Sequence, residues 1–377
     1  MELKFTENKI NEQVTGIKAE VFAGSEVATG AYLTVRPSRY NNGWIPALTV
    51  GGVGTDPEYR REGHVRRILE TAFENNAQYG AYVSLLHPFS FSYYRKFGYE
   101  KVADHLILEF PIDGLGFLPR VNDFVKLRGE ERVGDVLKIF EKFSEGRNLM
   151  FRRFGSEHLT LDPNLDKKAT YIRYRDGEPV AYVTLSREKV FYVNQMRSVN
   201  LHVYELAFTD PEALRDIFGF LRMFDGENDT VKIHNCAMIP EVDIMLREYI
   251  RISYTIIPDI MARVLDTEKM LSANAFPNEA GAFRIAVDDV LPDVRGVFEV
   301  EYQQGKGQVT RLAASPEDFS GKADIECGAP ALSQILYGYH SLTPQLLPYM
   351  DGVRVTGNPA GLILAYPKAL NGIFEHF

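Results

Sequence analysis

Between an apolar strand and an apolar helical face the chain reads Val53-Gly54-Thr55-Asp56-Pro57-Glu58-Tyr59-Arg60-Arg61-Glu62-Gly63-His64-Val65, followed at once by Arg66 and Arg67. A helix opening at such a junction exposes unpaired backbone N–H groups and about half a positive charge, which suits phosphate oxygens. Gly63 lets the backbone come close to an anion, and Arg60, Arg61, Arg66 and Arg67 supply further positive charge. The pattern reads as a pyrophosphate cradle. Taken alone, Thr55-Asp56-Pro57 could equally cap a surface helix with solvated arginines. Neither the Walker A nor the Rossmann glycine pattern is present, so ATP and NAD are poor candidates.

The elements that must position this junction follow from periodicity. Ile17 to Phe22 and Gly30 to Val35 read as a hairpin around Ala23-Gly24-Ser25, Arg36 to Pro46 as a loop, and Ala47 to Gly54 as the next strand. Pro57 to Gly80 carries Val65, Ile68, Leu69, Ala72 and Phe73 on one helical face. Ala81 to Leu86 is a compact strand, and the aromatic-rich Phe89 to Phe97 leads to Gly98 and a strand around His105 to Phe110 that closes a first mixed unit. Pro111 to Pro119 reads as a linker, and Gly129 to Phe143 as the start of a new helical pattern. A hairpin around Asp176-Gly177 within Tyr171 to Arg187, the strand Val203 to Phe208 and a helix from Pro211 repeat the local order. Thr55-Asp56-Pro57-Glu58 recurs as Thr209-Asp210-Pro211-Glu212, but Arg60 maps to Leu214 and Gly63 to Ile217. Ile260 to Val264 opens a third unit of alternating strands, with helices expected at Ala329 to Tyr337, Pro344 to Met350 and near Pro359 to Ala365.

Composition bounds the rest. A prior of ~150 residues per domain gives two or three domains for 377 residues. No run approaches the ~18 apolar residues of a membrane helix, so no membrane role is expected. The net charge of −9 argues against nucleic acid and favours cationic small molecules or basic proteins. The start, MELKFTENKI, has charges where a secretory signal needs an apolar segment, which predicts a cytoplasmic protein. Cys236 and Cys327 match no metal spacing and are expected as buried, unreactive thiols; no metal is expected.

The run Val53 to Val65 resembles the acetyl-CoA motif of GNAT-type N-acetyltransferases, Gln/Arg-x-x-Gly-x-Gly/Ala, with Val65 in place of the last small residue. The enhanced intracellular survival (Eis) group also carries a larger apolar residue there. Tyr94-Arg95-Lys96-Phe97-Gly98-Tyr99 resembles that group's Tyr-x-x-Phe-Gly-Tyr motif, and Ala331 to Tyr339 resembles the helix after the sheet of sterol-carrier-like domains. The resemblance implies an α/β (α+β) fold: a catalytic GNAT unit over 1–120, a second, degenerate GNAT unit over 121–258 and a sterol-carrier-like domain over 259–377. It also implies acetyl-CoA as co-substrate and a homo-oligomer, by resemblance a hexamer. The pantetheine arm would lie between the strands Ala47 to Gly54 and Ala81 to Leu86. Backbone groups at Val53, Gly54 and Thr55 would hold that arm, and Arg60, Arg61, Glu62, Gly63, His64 and Val65 would hold the pyrophosphate.

By the same resemblance Tyr94 donates a proton to the departing thiolate; a tyrosine of pKa ~10 carries that proton at neutral pH. The base implied is the α-carboxylate of Phe377, with His87, Glu100 and His376 in reserve. A free α-carboxylate of pKa ~3.5 is a weak base unless burial raises it or water relays the proton. Phe22, Trp44, His87, Phe374 and Glu375 are the candidates for the acceptor pocket, because a cationic amine gains from aromatic faces and carboxylates. About 16 residues precede the strand at Ile17, where a first GNAT unit has a strand and two helices lining the acceptor; that segment is expected to be largely absent. The expectation is therefore direct acetyl transfer to a primary amine of a small cationic molecule or a lysine side chain. A non-catalytic acyl-CoA or lipid carrier is the alternative.

Overall fold

The computed structural model describes residues 1–157, 159, 168–192 and 195–375. Its contacts divide these residues into two units, Met1–Ala103 with Asp259–Asn371, and Asp104–Pro258 with Gly372–Glu375.

The first unit opens with four long antiparallel strands, β1 (Glu2–Asn11), β2 (Val14–Ala23), β3 (Glu26–Tyr40) and β4 (Gly43–Thr55). Helices α1 (His64–Glu74) and α2 (Asn76–Tyr79), strand β5 (Val83–Leu86), α3 (Phe91–Arg95) and the short β6 (Glu100–Lys101) follow. The sheet runs β1-β2-β3-β4-β5, then the strand Met261–Val264, then β6. The α1 face carrying Ile68, Leu69, Ala72 and Phe73 packs against Ile17, Leu33 and Leu48, each such side chain contributing roughly 1.5–3 kcal/mol by leaving water.

Three local readings change here. Arg36 to Pro46 is not a loop: β3 and β4 continue to a two-residue turn at Asn41-Asn42, where Asn41 takes φ 52. Pro37 stands opposite Pro46, so both missing N–H groups fall on one rung of the ladder. The helix expected from Pro57 begins only at His64, after the 3-10 turn Pro57–Tyr59. Of the strand and two helices expected to be largely absent before Ile17, the strand is present as β1, and it joins β2 directly with no helix between them.

The second unit comprises β7 (Asp104–Pro111), β8 (Val125–Lys126), α4 (Val133–Phe143), β9 (Arg147–Asn148), β10 (Ala169–Arg175), β11 (Glu178–Tyr192), β12 (Gln195–Phe208), α5 (Pro211–Leu221), β13 (Thr230–Ile233), α6 (Pro240–Met245) and β14 (Ser253–Pro258). Its sheet order is β14-β7-β13-β12-β11-β10-β8. The strand around His105 to Phe110, which the sequence reading gave to the first unit, is β7 and pairs between β13 and β14.

The remainder of the first unit holds β15 (Met261–Val264), α7 (Thr267–Ser272), β16 (Gly281–Asp288), β17 (Gly296–Gln303), β18 (Lys306–Ala313), β19 (Ile325–Gly328), α8 (Ala329–Leu336), β20 (Arg354–Val355) and α9 (Ala360–Ala365). A five-stranded sheet of order β18-β17-β16-β19-β20 is covered by α8 and α9. The strand expected to open a separate third unit is β15, which lies antiparallel between β5 and β6 and is buried along its whole length. The helix expected over Pro344 to Met350 reduces to the 3-10 turn Leu347–Tyr349, since Pro348 cannot donate the bond a longer helix needs. The fold is mixed α/β throughout, built on mixed sheets.

Candidate active site

Strand β4 is parallel to β5 only over Ala47–Val50, opposite Val83–Leu86, and then runs on to Thr55. Among the described residues, therefore, no strand lies opposite the β5-facing edge of Gly51 to Thr55. On the other side, Tyr32 faces Gly51 and Gly30 faces Gly54, so Gly52 and Val53 together oppose Ala31 alone. This is a β-bulge, and Gly52 takes φ 58 within it, a conformation that favours glycine. A bulge bends its strand, and the bend falls where β4 leaves β5. The opening exposes backbone N–H and C=O groups suited to an extended ligand carrying amides.

At the end of β4 the chain turns sharply. The Asp56 N–H reaches the Ala28 carbonyl at 3.0 Å, and Arg60 Nε donates to the Thr55 carbonyl at 3.3 Å. Arg61 takes φ 68 and Gly63 takes φ 82. For a side-chain-bearing residue such as Arg61 this conformation costs roughly 1–2 kcal/mol. Gly63 is the N-cap of α1, and among the described residues no side-chain hydrogen bond caps that terminus. The first-turn N–H groups and the positive end of the helix dipole thus remain available to an anion. Of the other arginines, Arg66 pairs with Glu70 at 3.1 Å and lies over the Phe97 ring at 5.3 Å, while Arg67 donates to the Met1 carbonyl at 2.9 Å. His64 Nε2 sits 3.1 Å from the Glu62 carboxylate.

The aromatic motif forms the short helix α3, capped where the Ser90 hydroxyl accepts from the Tyr93 N–H at 3.3 Å. Tyr94 is only 2% exposed, set edge-on to Phe89 (5.5 Å), Tyr93 (5.3 Å) and Tyr99 (6.0 Å). Burial, reinforced by Tyr93, pushes its phenol up to about 12. Tyr94 therefore holds its proton at neutral pH. The Tyr99 and Ser84 hydroxyls are hydrogen-bonded at 2.6 Å. Glu100 is committed, accepting from Arg95 Nε and Nη2 and from the Lys101 N–H, each at 2.8 Å. His87, just past β5, has Nδ1 2.9 Å from Asp259.

The remaining candidates separate. Phe22 lies at the same end of the sheet as Thr55, opposite Val27. Trp44 lies at the other end of β4, ~20 Å along the strand from Val50, with Arg39 over its ring at 4.0 Å. Phe374 packs against Phe143 at 6.2 Å, and Glu375 accepts from Arg153 Nε at 2.6 Å, both within the second unit. His376 and Phe377 lie outside the described residues. Sequence reading did not find Asp259, Arg263 or Arg153: each is isolated in the chain and meets its partner only through folding.

The second unit repeats the geometry without the openings. β12 is parallel to β13 over Asn200–Val203 and runs on to Phe208, as β4 does beside β5. Here Tyr204 stacks on His234 at 5.3 Å, and His202 Nδ1 lies 3.2 Å from His234 Nε2. Burial, with His202 and His105 nearby, lowers His234 to about 4. The helix terminus is also filled: Asp210 accepts from the Ala213 N–H at 2.9 Å and pairs with Arg175 at 3.2 Å. A carboxylate occupies the position that an anionic ligand would need.

Residues 7–102 match the acetyltransferase (GNAT) domain family, and residues 267–346 match the sterol carrier protein domain family. The chain thus carries a GNAT-type acetyltransferase domain over 7–102 and a sterol-carrier-type domain over 267–346, and the GNAT domain family implies an acyl-CoA co-substrate. Its fold is shared with Eis1 from Mycobacterium abscessus at 18% identity and TM-score 0.75, covering 97% of this chain and 91% of that one. It is shared also with a GCN5-related N-acetyltransferase from Anabaena variabilis ATCC 29413 (18% identity, TM-score 0.78, 97% and 90%). A third, from Kribbella flavida, matches at 18% identity and TM-score 0.74 (97% and 87%). No curated protein matches the chain in sequence. Cys236 and Cys327 are both buried, and burial raises both thiols to about 12.

Proposed function

We propose that the chain transfers an acetyl group from acetyl-CoA directly to a primary amine on a small cationic molecule or a lysine side chain. The observation that carries this reading is the uncapped N-terminus of α1, with Arg61 and Gly63 in left-handed backbone, at the foot of the open β4 edge. The N–H groups around Arg61 to Val65 fit a pyrophosphate, and the edge at Val53 to Thr55 fits an amide-bearing arm.

In this reading Tyr94 is the general acid and the Phe377 carboxylate the general base. The amine nitrogen forms the C–N bond to the thioester carbonyl carbon. As the C–S bond breaks and its electron pair goes to sulfur, Tyr94 passes its proton to that sulfur, and the carboxylate takes the proton released by the amine. The products are an amide and a free thiol, and Tyr94 is reprotonated from solvent. Holding both substrates at once supplies much of the rate. Phe22 stands at the rim as an acceptor-side aromatic. The exposed, uncharged edge strand β14, with Tyr254, Ile256 and Ile257, supports the homo-oligomer that the resemblance implies.

The test is thiol release from acetyl-CoA against a panel of polyamines, aminoglycosides and lysine peptides, for the chain and for a form extended by one glycine beyond Phe377. Turnover lost on extension, by ~10²-fold or more, is expected for a terminal base. Coenzyme A binding without turnover on any amine would instead favour a carrier.

A further inference from the structure

Strand β2 turns Ile17, Ala19 and Val21 into the core under α1, so by alternation Lys18, Glu20 and Phe22 stand on the opposite face of the sheet. On β3 and β4, Ala31 and Val53 pack into the same core, which puts Gly30 and Gly54 on that opposite face as well. There Lys4, Glu20, Gly30 and Gly54 lie side by side across β1, β2, β3 and β4. The two glycines leave their part of the row bare, because a Cβ at either would meet nothing within 4 Å. The result is a trough floored by backbone. Glu20 walls one side, and the open edge of β4, where the acyl-bearing arm is placed, bounds the other.

No step of the proposed reaction uses Glu20. Its side chain is 11% exposed, and among the described residues its cation is Lys18, whose Nζ lies 2.7 Å from Oε1 while the lysine side chain is itself 61% exposed. A carboxylate largely out of water is thus balanced by an ammonium still largely in it. Such a pair contributes little to stability, and a glutamine would fill the same space without the cost of burying charge. What the carboxylate adds is a place for an ammonium beside an open trough, which Lys18 can leave for solvent as another cation arrives. The net charge of −9 draws such cations to the molecule. Adjacent strands lie ~4.8 Å apart, so Glu20 stands ~10 Å from Gly54 and ~15 Å from an arm lying beside β4.

We infer that Glu20 is a specificity-determining residue that binds a second cationic group of the acceptor, ~10–15 Å from the amine that reacts. The acceptor it selects is an extended polycationic small molecule, of the polyamine kind, over a monoamine. Phe22, two residues further along the same face, adds an aromatic surface for that chain. The inference rests on the acetyl-transfer reading and narrows the acceptor within it.

The test compares spermine, which carries amines along its whole length, with hexylamine, which has a single amine, for the full chain and for Glu20→Gln and Gly30→Leu. Glu20→Gln keeps the shape and removes the charge, and Gly30→Leu fills the trough from its floor. In each variant kcat/KM for spermine relative to hexylamine should fall at least ~10-fold, the scale of one lost charge-assisted hydrogen bond. An unchanged ratio in folded Glu20→Gln, or a fall shared equally by both amines, would overturn the inference. Should Glu20→Gln not fold, Gly30→Leu decides by the same ratio. If the parent chain acetylates neither amine, calorimetry with spermine decides the site by itself. The site stands if Glu20→Gln binds at least ~10-fold more weakly than the parent, and falls if both bind alike or neither binds. The acetyl-transfer reading is then judged separately, on thiol release across the wider amine panel.

Discussion

Gly98 presses its Cα against the Arg263 guanidinium so closely that a Cβ there would lie 1.5 Å from Nη1. Arg263, on β15, is 3% exposed and donates from Nη2 to Asp289 at 2.8 Å. The glycine of the aromatic motif is thus required for two reasons, its φ of 81 and the cation behind it. Gly98→Ala should lose ~2–4 kcal/mol in urea denaturation. Combining it with Arg263→Ala should give a loss smaller than the sum of the two, since one change removes the obstacle to the other.

At Gly63 a Cβ would meet nothing within 4 Å, so only the backbone conformation resists substitution. Gly63→Ala should cost ~1 kcal/mol of stability while weakening coenzyme A binding by ~10-fold or more on calorimetry. Arg61→Gly should relieve strain and raise the melting temperature, yet also weaken coenzyme A binding. A variant that gains stability while keeping full affinity would remove Arg61 from the cradle.

Tyr94 has its folded-state pKa raised to about 12. The unfolded phenol titrates near ~10, so this group's contribution is complete below that pH and is lost as pH rises from ~10 towards 12. Tyr94→Phe should therefore flatten part of the alkaline fall in stability. At neutral pH it should lower kcat by ~10²-fold with little change in coenzyme A affinity. An undiminished kcat would exclude Tyr94 as the acid.

The two Thr-Asp-Pro-Glu copies should respond differently to the same substitution. Asp56 makes no side-chain cap hydrogen bond, whereas Asp210 caps α5. Asp210→Ala should cost ~1–2 kcal/mol, and Asp56→Ala close to nothing, by chemical denaturation of each variant. Burial pushes the Asp210 carboxyl up, but the Ala213 N–H, the Thr209 hydroxyl and Arg175 together hold it below its usual value. Its contribution is consequently present above the unfolded carboxylate pKa of ~3.9 and is lost as pH falls through the folded value. Asp210→Ala should reduce the acid sensitivity of stability.

Much of the geometry of the candidate site was legible because its signals are local. The β2–β3 hairpin, the amphipathic face of α1 and the positive charge at its start rest on neighbours within a few residues, and local sterics settle them. The same holds for Tyr94, whose ring neighbours Phe89, Tyr93 and Tyr99 all lie close to it in the chain. Spacing alone misplaced the start of α1, because the left-handed turns at Arg61 and Gly63 interrupt a periodic pattern that runs through them.

Periodicity and turn chemistry in the sequence determined most of the strands and helices and which junction carries the left-handed glycine Gly63. Only the tertiary structure decided which sheet each strand joins: β7 pairs in the second unit's sheet and β15 in the first's. It also decided that Arg263 backs Gly98 and that Arg153 holds Glu375. Strand pairing and buried ion pairs join residues far apart in the chain, by 222 positions for Arg153 and Glu375. Their energies depend on three-dimensional burial and on excluded water, which no local window of sequence contains.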